Sequence, residues 1–279
     1  HTGIHSFPTR RSSDLLGVSP DWPSDVVLLV RHYGRLEEGE RYQALQRLTG
    51  TLGPKAVPFL VARLAEGSSR EAQFVLQHLY RQNNEEVWQQ VIRLLPEPKN
   101  DAQAKALAWA RAQSGQALDA LELLARSQIK DAVRDQAIEA GVQDLLGKLK
   151  ERKYADAAAA GEKFAKAAPG DPRFPYLRAE ALVALDKDAE AAALRQQALA
   201  LAPDAEAPHY LAGELLGQLG RRRLAAAEWQ RILDIPPADG VYDINAHLRL
   251  SALYAASGLF ERAATSLEKA LDASAKARD

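Results

Sequence analysis

From Val26 onward, apolar residues return every three or four positions, in stretches that come two at a time and are separated by Gly, Pro or short polar runs. That spacing predicts helices with one buried face, paired as hairpins. "YQALQRLTGTLGPKAVPFLVARLAEG" and "SREAQFVLQHLYRQNNEEVWQQVIRLL" read as two such pairs, and "DAQAKALAWARAQSGQALDALELLARS", Asp101 to Ser127, as a third. Gly67 to Ser69 and Pro96 to Asn100 are the clearest linkers. The first 15 residues, "HTGIHSFPTRRSSDL", carry no apolar period of 3.6 or 2 and predict no element.

The C-terminal half repeats. Aligned on itself it gives units beginning at Ile138, Pro172 and Glu206, 34 residues apart, and a fourth at Ile244. Pro169, Pro203 and Pro237 then share one column, as do Ala157, Ala191, Ala225 and Ala263, and Leu182, Leu216 and Tyr254 share another. Gly220 and Gly258 stand between the two helical stretches of their units, where a left-handed residue ends the first helix. The alanine column is expected where the second helix crosses the first, and Trp229 is expected to face the neighbouring unit. Proline stops each second helix.

"HLRLSALYAASGLFERAATSLEKAL", His247 to Leu271, with Tyr254, Gly258 and Ala263, resembles the tetratricopeptide repeat, and Gly213, Gly220, Ala225, Trp229 and Pro237 extend the likeness to the preceding unit. "GPKAVPFLVARL", Gly53 to Leu64, resembles the second helix of a HEAT-type repeat, with Pro54 in the first turn. The resemblance implies an all-α fold: a right-handed α-solenoid of stacked antiparallel helix pairs. HEAT-like helices over 16–100 would precede tetratricopeptide units over 101–279, at about 101–134 (degenerate), 138–171, 172–205, 206–239 and 244–277. Asp144, Gly161, Arg178 and Arg195 depart from the pattern, standing where large apolar residues are usual, and predict loose packing there.

Composition narrows the function. Aromatic residues are only 6% of the chain, and long stretches are Ala, Leu, Glu, Arg and Gln, which favour helix. A formal net charge of -1 supplies no basic field for nucleic acid. With no Cys, disulfides and thiolate chemistry are excluded. The most apolar run, Val26 to Val30, is far too short to span a bilayer. Phe7 to Leu15 resembles one reading frame of a sequencing-library adapter, and the chain contains no Met. Residues 1–15 are therefore expected to be artefactual, with the true N-terminus missing and location open between cytoplasm and periplasm.

No phosphate-binding loop, dinucleotide fingerprint, HExxH or GxSxG is present. His32, His78, His209 and His247 lie at unrelated spacings and read as satisfied or solvent-facing helix residues, so neither metal nor cofactor is expected. The Gly213 and Gly217 pair reads as a site of close helix packing. "KLKERK", Lys148 to Lys153, and "RRR", Arg221 to Arg223, read as solvated helix ends.

In stacked helix pairs the first helices line a concave groove. The register puts Arg173, Tyr176, Leu177, Glu180 and Val183 there from one unit, Tyr210, Leu211, Glu214 and Gln218 from the next, and Asn245, Leu248 and Arg249 from the last. Stacked tyrosines, leucines and glutamates suit a peptide or helix with apolar anchors and a basic residue, or else pack between units. Some tetratricopeptide domains hold a chaperone's C-terminal carboxylates with Lys and Asn, a ligand that Tyr176, Tyr210, Glu180 and Glu214 argue against. The expected function is a non-enzymatic interaction scaffold for another protein. Alternatives are the sensor or assembly arm of a larger protein, a glycosidase built on Glu180 and Glu214, and an RNA-binding helical repeat.

Overall fold

The structure, a computed structural model, describes residues 18, 21–82, 84–236 and 240–276. Pro237 and residues 1–15 lie outside them. The described residues form fifteen α-helices and two short 3-10 turns, with no strand. The chain divides into two compact units, up to Gly141 and from Val142.

In the first unit α1 (Ser24–His32), α2 (Glu38–Leu52), α3 (Val57–Glu66), α4 (Ser69–Arg81), α5 (Glu85–Leu94), α6 (Asp101–Gln113) and α7 (Ala117–Arg126) follow the predicted stretches closely. Helix starts are set by side chains that accept otherwise orphaned backbone N–H groups: Ser68 from Glu71, Asn84 from Glu86, and Asn100 from Gln103. Pro54 sits in a 3-10 turn rather than inside a helix. Pro58 takes the first turn of α3, where a missing N–H costs nothing. The core gathers Leu45, Leu48, Phe59, Leu60 and Leu79. Within it the Tyr33 ring meets Phe59 edge-on at 5.2 Å, and its hydroxyl donates to buried Glu71 at 2.8 Å. Helix α6 packs on α3, α4 and α5, so the helices on either side of Pro96–Asn100 belong to one compact unit.

Helix α8 (Ala132–Lys150) runs across the division. The second unit continues with α9 (Tyr154–Ala167), α10 (Arg173–Val183), α11 (Asp188–Leu199), α12 (Glu206–Gln218), α13 (Arg222–Leu233), α14 (Val241–Ala256) and α15 (Phe260–Lys276). The pairs α10 with α11, α12 with α13, and α14 with α15 pack as hairpins. Ala191 and Ala225 are fully buried and Ala263 nearly so, as their crossing position requires.

A backbone column accompanies the sequence columns. Gly220 and Gly258 are left-handed, with φ of 71° and 74°, and the corresponding turns of earlier hairpins hold Gly115 (φ 80°), Arg152 (φ 59°) and Asp186 (φ 58°) in the same conformation. Each is followed by the same closing bond, from the N–H after it to the carbonyl five residues earlier: Gln116 to Arg111, Lys153 to Lys148, Lys187 to Leu182, Arg221 to Leu216 and Leu259 to Tyr254, all between 2.8 and 2.9 Å. The turn is therefore kept where glycine is not.

One packing expectation needs correction. Gly161 is a point of contact rather than of looseness, because a Cβ there would lie 3.0 Å from Arg178 Cβ and 3.4 Å from its Cα, so α9 and α10 touch. Arg178 and Arg195 make up for missing apolar bulk by ion-pairing Glu162 at 2.9 Å and Glu180 at 3.0 Å, and Asp144 pairs with Lys148 one turn on. Trp229, expected to face a neighbouring unit, also lies along its own hairpin. Its indole covers Gly213 and Gly217 on α12, and it joins a cluster with Leu216, Ile232, Ala246 and Leu250.

Candidate partner-binding surface

The twelve residues assigned to the groove fall into two groups. On α10, Arg173, Tyr176 and Leu177 are buried, so they do not line an open surface. Arg173 holds Asp171 through Nε at 3.0 Å and Nη2 at 2.8 Å, a buried pair at the start of the helix. Val183 packs, half-buried, against Ala179, Leu182 and Ala191. Glu180 accepts from Arg195 in its own hairpin at 3.0 Å and from Arg221 before α13 at 2.8 Å. Arg221, read from the sequence as part of a solvated run, instead ties one hairpin to the next.

Tyr176 is turned inward by a partner that the register did not identify. Its hydroxyl donates to Glu228 Oε1 at 2.5 Å, while Glu228 Oε2 meets His209 Nδ1 at 2.5 Å, and all three side chains are buried. Burial, and next the negative charge of Glu228, push the Tyr176 hydroxyl well above its ordinary titration range. The network joins α10, α12 and α13. A signal for it existed: the column of Glu228 otherwise holds Ala160, Leu194 and Ser266. A lone carboxylate in a small or apolar column needs buried partners.

On α12 and α14 the predicted residues do reach the surface. Leu211 is 44% exposed and Leu248 43%, well above what a packed interior leucine shows. Tyr210 is half-buried with its ring 5.6 Å from that of Tyr242. Glu214 takes a two-pronged contact from Arg249, 2.7 Å at both Nε and Nη2, while Gln218 is exposed and Asn245 half-buried. The arrangement presents two apolar contacts beside one ion pair, flanked by neutral polar groups. Glu180 and Glu214 are both engaged by arginine.

No protein-family model matches the sequence, and no curated protein matches it. Similar solved structures include a crystal structure of MamA, 20% identical over 60% of this chain and 93% of that one, with a TM-score of 0.32. Another is a crystal structure of MamA protein, 18% identical over 62% and 93%, with a TM-score of 0.32. A third is a MamA RS-1 ArsTM double mutant, 20% identical over 65% and 93%, with a TM-score of 0.27. The described residues are all-helical.

Among the described residues no group of three or more His, Asp or Glu could hold a metal ion, and no helix is long and apolar enough to cross a membrane. The first unit holds a cavity of about 830 Å³ between α4 and the starts of α6 and α8, lined by Leu64, Leu76, Tyr80 and Val133 and edged by the Lys105–Asp131 pair at 2.6 Å.

Proposed function

We propose that the chain is a protein-interaction scaffold whose second unit holds a peptide or amphipathic helix of another protein against α12 and α14. The observation that carries this reading is the pair of exposed leucines, Leu211 and Leu248, on first helices of successive hairpins. Apolar anchors of the partner would cover them, and the Glu214–Arg249 pair would offer an acceptor and a donor beside them. The α10 residues act behind this surface, holding the hairpins in register.

The reading is tested by selecting binders to the intact chain from a displayed library of short peptides and measuring their affinity for Leu211→Asp/Leu248→Asp. Covering two leucines is worth roughly 1 to 2 kcal/mol each at such a surface, so the variant should bind about 100-fold more weakly or worse. Peptides that bind both proteins equally would remove this surface from the function.

A further inference from the structure

The α12–α14 surface also constrains the shape of its occupant, an inference that rests on the reading just given. In the register of the repeat, Tyr210 shares a column with Leu248, and Leu211 shares one with Arg249. Helices α12 and α14 pack against each other, and packed helices lie about 8 to 10 Å apart, axis to axis. Residues of one column therefore stand about 9 Å apart, across the helices rather than along them.

Each kind of ligand backbone offers its own spacing of side chains on one face. An extended strand repeats every second residue, at about 6.8 Å. An α-helix repeats at about 6 Å after four residues and reaches about 10.5 Å only after seven, with another side chain of the same face falling over the seam. A polyproline II helix has three residues per turn and rises about 3.1 Å per residue, so its same-face side chains recur at about 9.3 Å. Of the three, it alone sets successive anchors on successive helices.

The chemistry of the surface agrees with that spacing. The rings of Tyr210 and Tyr242 lie 5.6 Å apart, inclined at 55°, and each is only half-buried. Proline-rich segments dock on grooves lined by such rings. The two charged groups among the assigned residues of α12 and α14, Glu214 and Arg249, hold each other, so the surface asks for no charge in return. A segment rich in proline has few N–H donors and leaves its carbonyls free. Gln218, exposed, and Asn245, half-buried, carry carboxamides that can donate to them. On α10 the same columns are closed, because Tyr176 and Leu177 are buried.

We propose that the α12–α14 surface binds an uncharged proline-rich segment of a partner protein in the polyproline II conformation. One anchor lies over Tyr210 and Leu211, and the next, three residues on, lies over Leu248.

The probes are three designed peptides tested with the full chain by fluorescence anisotropy. Two are proline-rich, about 12 residues long and identical in composition, with leucine at every third position in one and at every fourth in the other. The third is an alanine-based helix of about 18 residues with a leucine stripe. The third-position peptide should bind at least tenfold more tightly than either of the others, and Leu211→Asp/Leu248→Asp should abolish its binding. Tyr242→Ala should weaken it about tenfold; if that variant loses helical circular dichroism, the two leucine spacings alone decide. Equal binding of the two proline-rich peptides would overturn the proposal, since spacing would then not matter. Tighter binding of the helical peptide, lost in the aspartate variant, would also overturn it while leaving the scaffold reading in place. If none of the three binds, the proposal fails, and the scaffold reading stands or falls on the peptides selected from the library.

Discussion

Gly213 and Gly217 lie one turn apart on α12 and face the same indole, yet adding a methyl group should have opposite effects at the two. At Gly213 the new Cβ would fall 2.4, 2.7 and 2.9 Å from Nε1, Cδ1 and Cε2 of Trp229. The ring is packed among Leu216, Ile232 and Leu250 and has little room to retreat. The overpacking cost therefore belongs near the top of the usual range, about 3 kcal/mol, offset by about 1 kcal/mol of helix propensity gained over glycine. Gly213→Ala should lower stability by about 2 kcal/mol. At Gly217 the nearest ring atoms would be 3.6 and 3.9 Å away, ordinary contact, so Gly217→Ala should keep the propensity gain and raise stability by up to about 1 kcal/mol. Urea and thermal unfolding followed by circular dichroism measure both, with Tm moving about 2 to 4 °C per kcal/mol in a protein of this size. The decisive arm repeats Gly213→Ala in Trp229→Ala, itself lower by about 3 to 5 kcal/mol. With the ring gone, the methyl group should stabilise, giving a coupling of about 3 kcal/mol. The same loss in both backgrounds would refute the contact.

Three further outcomes are expected. The Tyr176 hydroxyl titrates higher in the folded protein than its ordinary value of 10.0, so its contribution to stability is complete below pH 10 and declines as pH rises beyond it. Tyr176→Phe should flatten that alkaline decline, measured by urea unfolding at a series of pH values, and an unchanged slope would exclude the residue. The same substitution should cost about 1 to 3 kcal/mol near neutral pH by leaving Glu228 short of a buried donor, while Tyr210→Phe, at a half-buried site, should cost less in the same unfolding assay. Arg152 holds a left-handed conformation that costs a non-glycine residue about 1 to 2 kcal/mol, so Arg152→Gly should raise Tm rather than lower it; a fall would mean the arginine side chain matters more than its backbone.

The sequence makes the helices and their pairing legible because helix pairing leaves its mark in apolar spacing, and the alanine column because a crossing point tolerates only a small side chain. It does not reveal the direction of Tyr176. Tyr176 and Tyr210 share a column, but the first faces Glu228 and the second faces Tyr242, and nothing in either tyrosine's own neighbourhood along the chain distinguishes them. The difference lies 52 residues away, on a helix whose other copies carry Ala, Leu or Ser. Glu180 was likewise legible as a groove position but not as a junction, because Arg221 reads as a solvated helix end until α12 brings it back beside α10. By contrast, Leu211, Leu248 and Arg249 are exposed as the register expected, since no buried partner draws them inward.

The Tyr176–Glu228–His209 network also bears on how such a chain can be rearranged. Repeats of similar shape invite shuffling, since one hairpin has much the same outline as the next. Here the hairpin carrying Glu228 requires a predecessor with a hydroxyl in the Tyr176 column. Tyr210 would supply one, whereas Val142 or Leu248 would leave the buried carboxylate without it. The order of the hairpins is thus written into their interior, and a duplication or deletion in this region would be tolerated only where that neighbour is preserved.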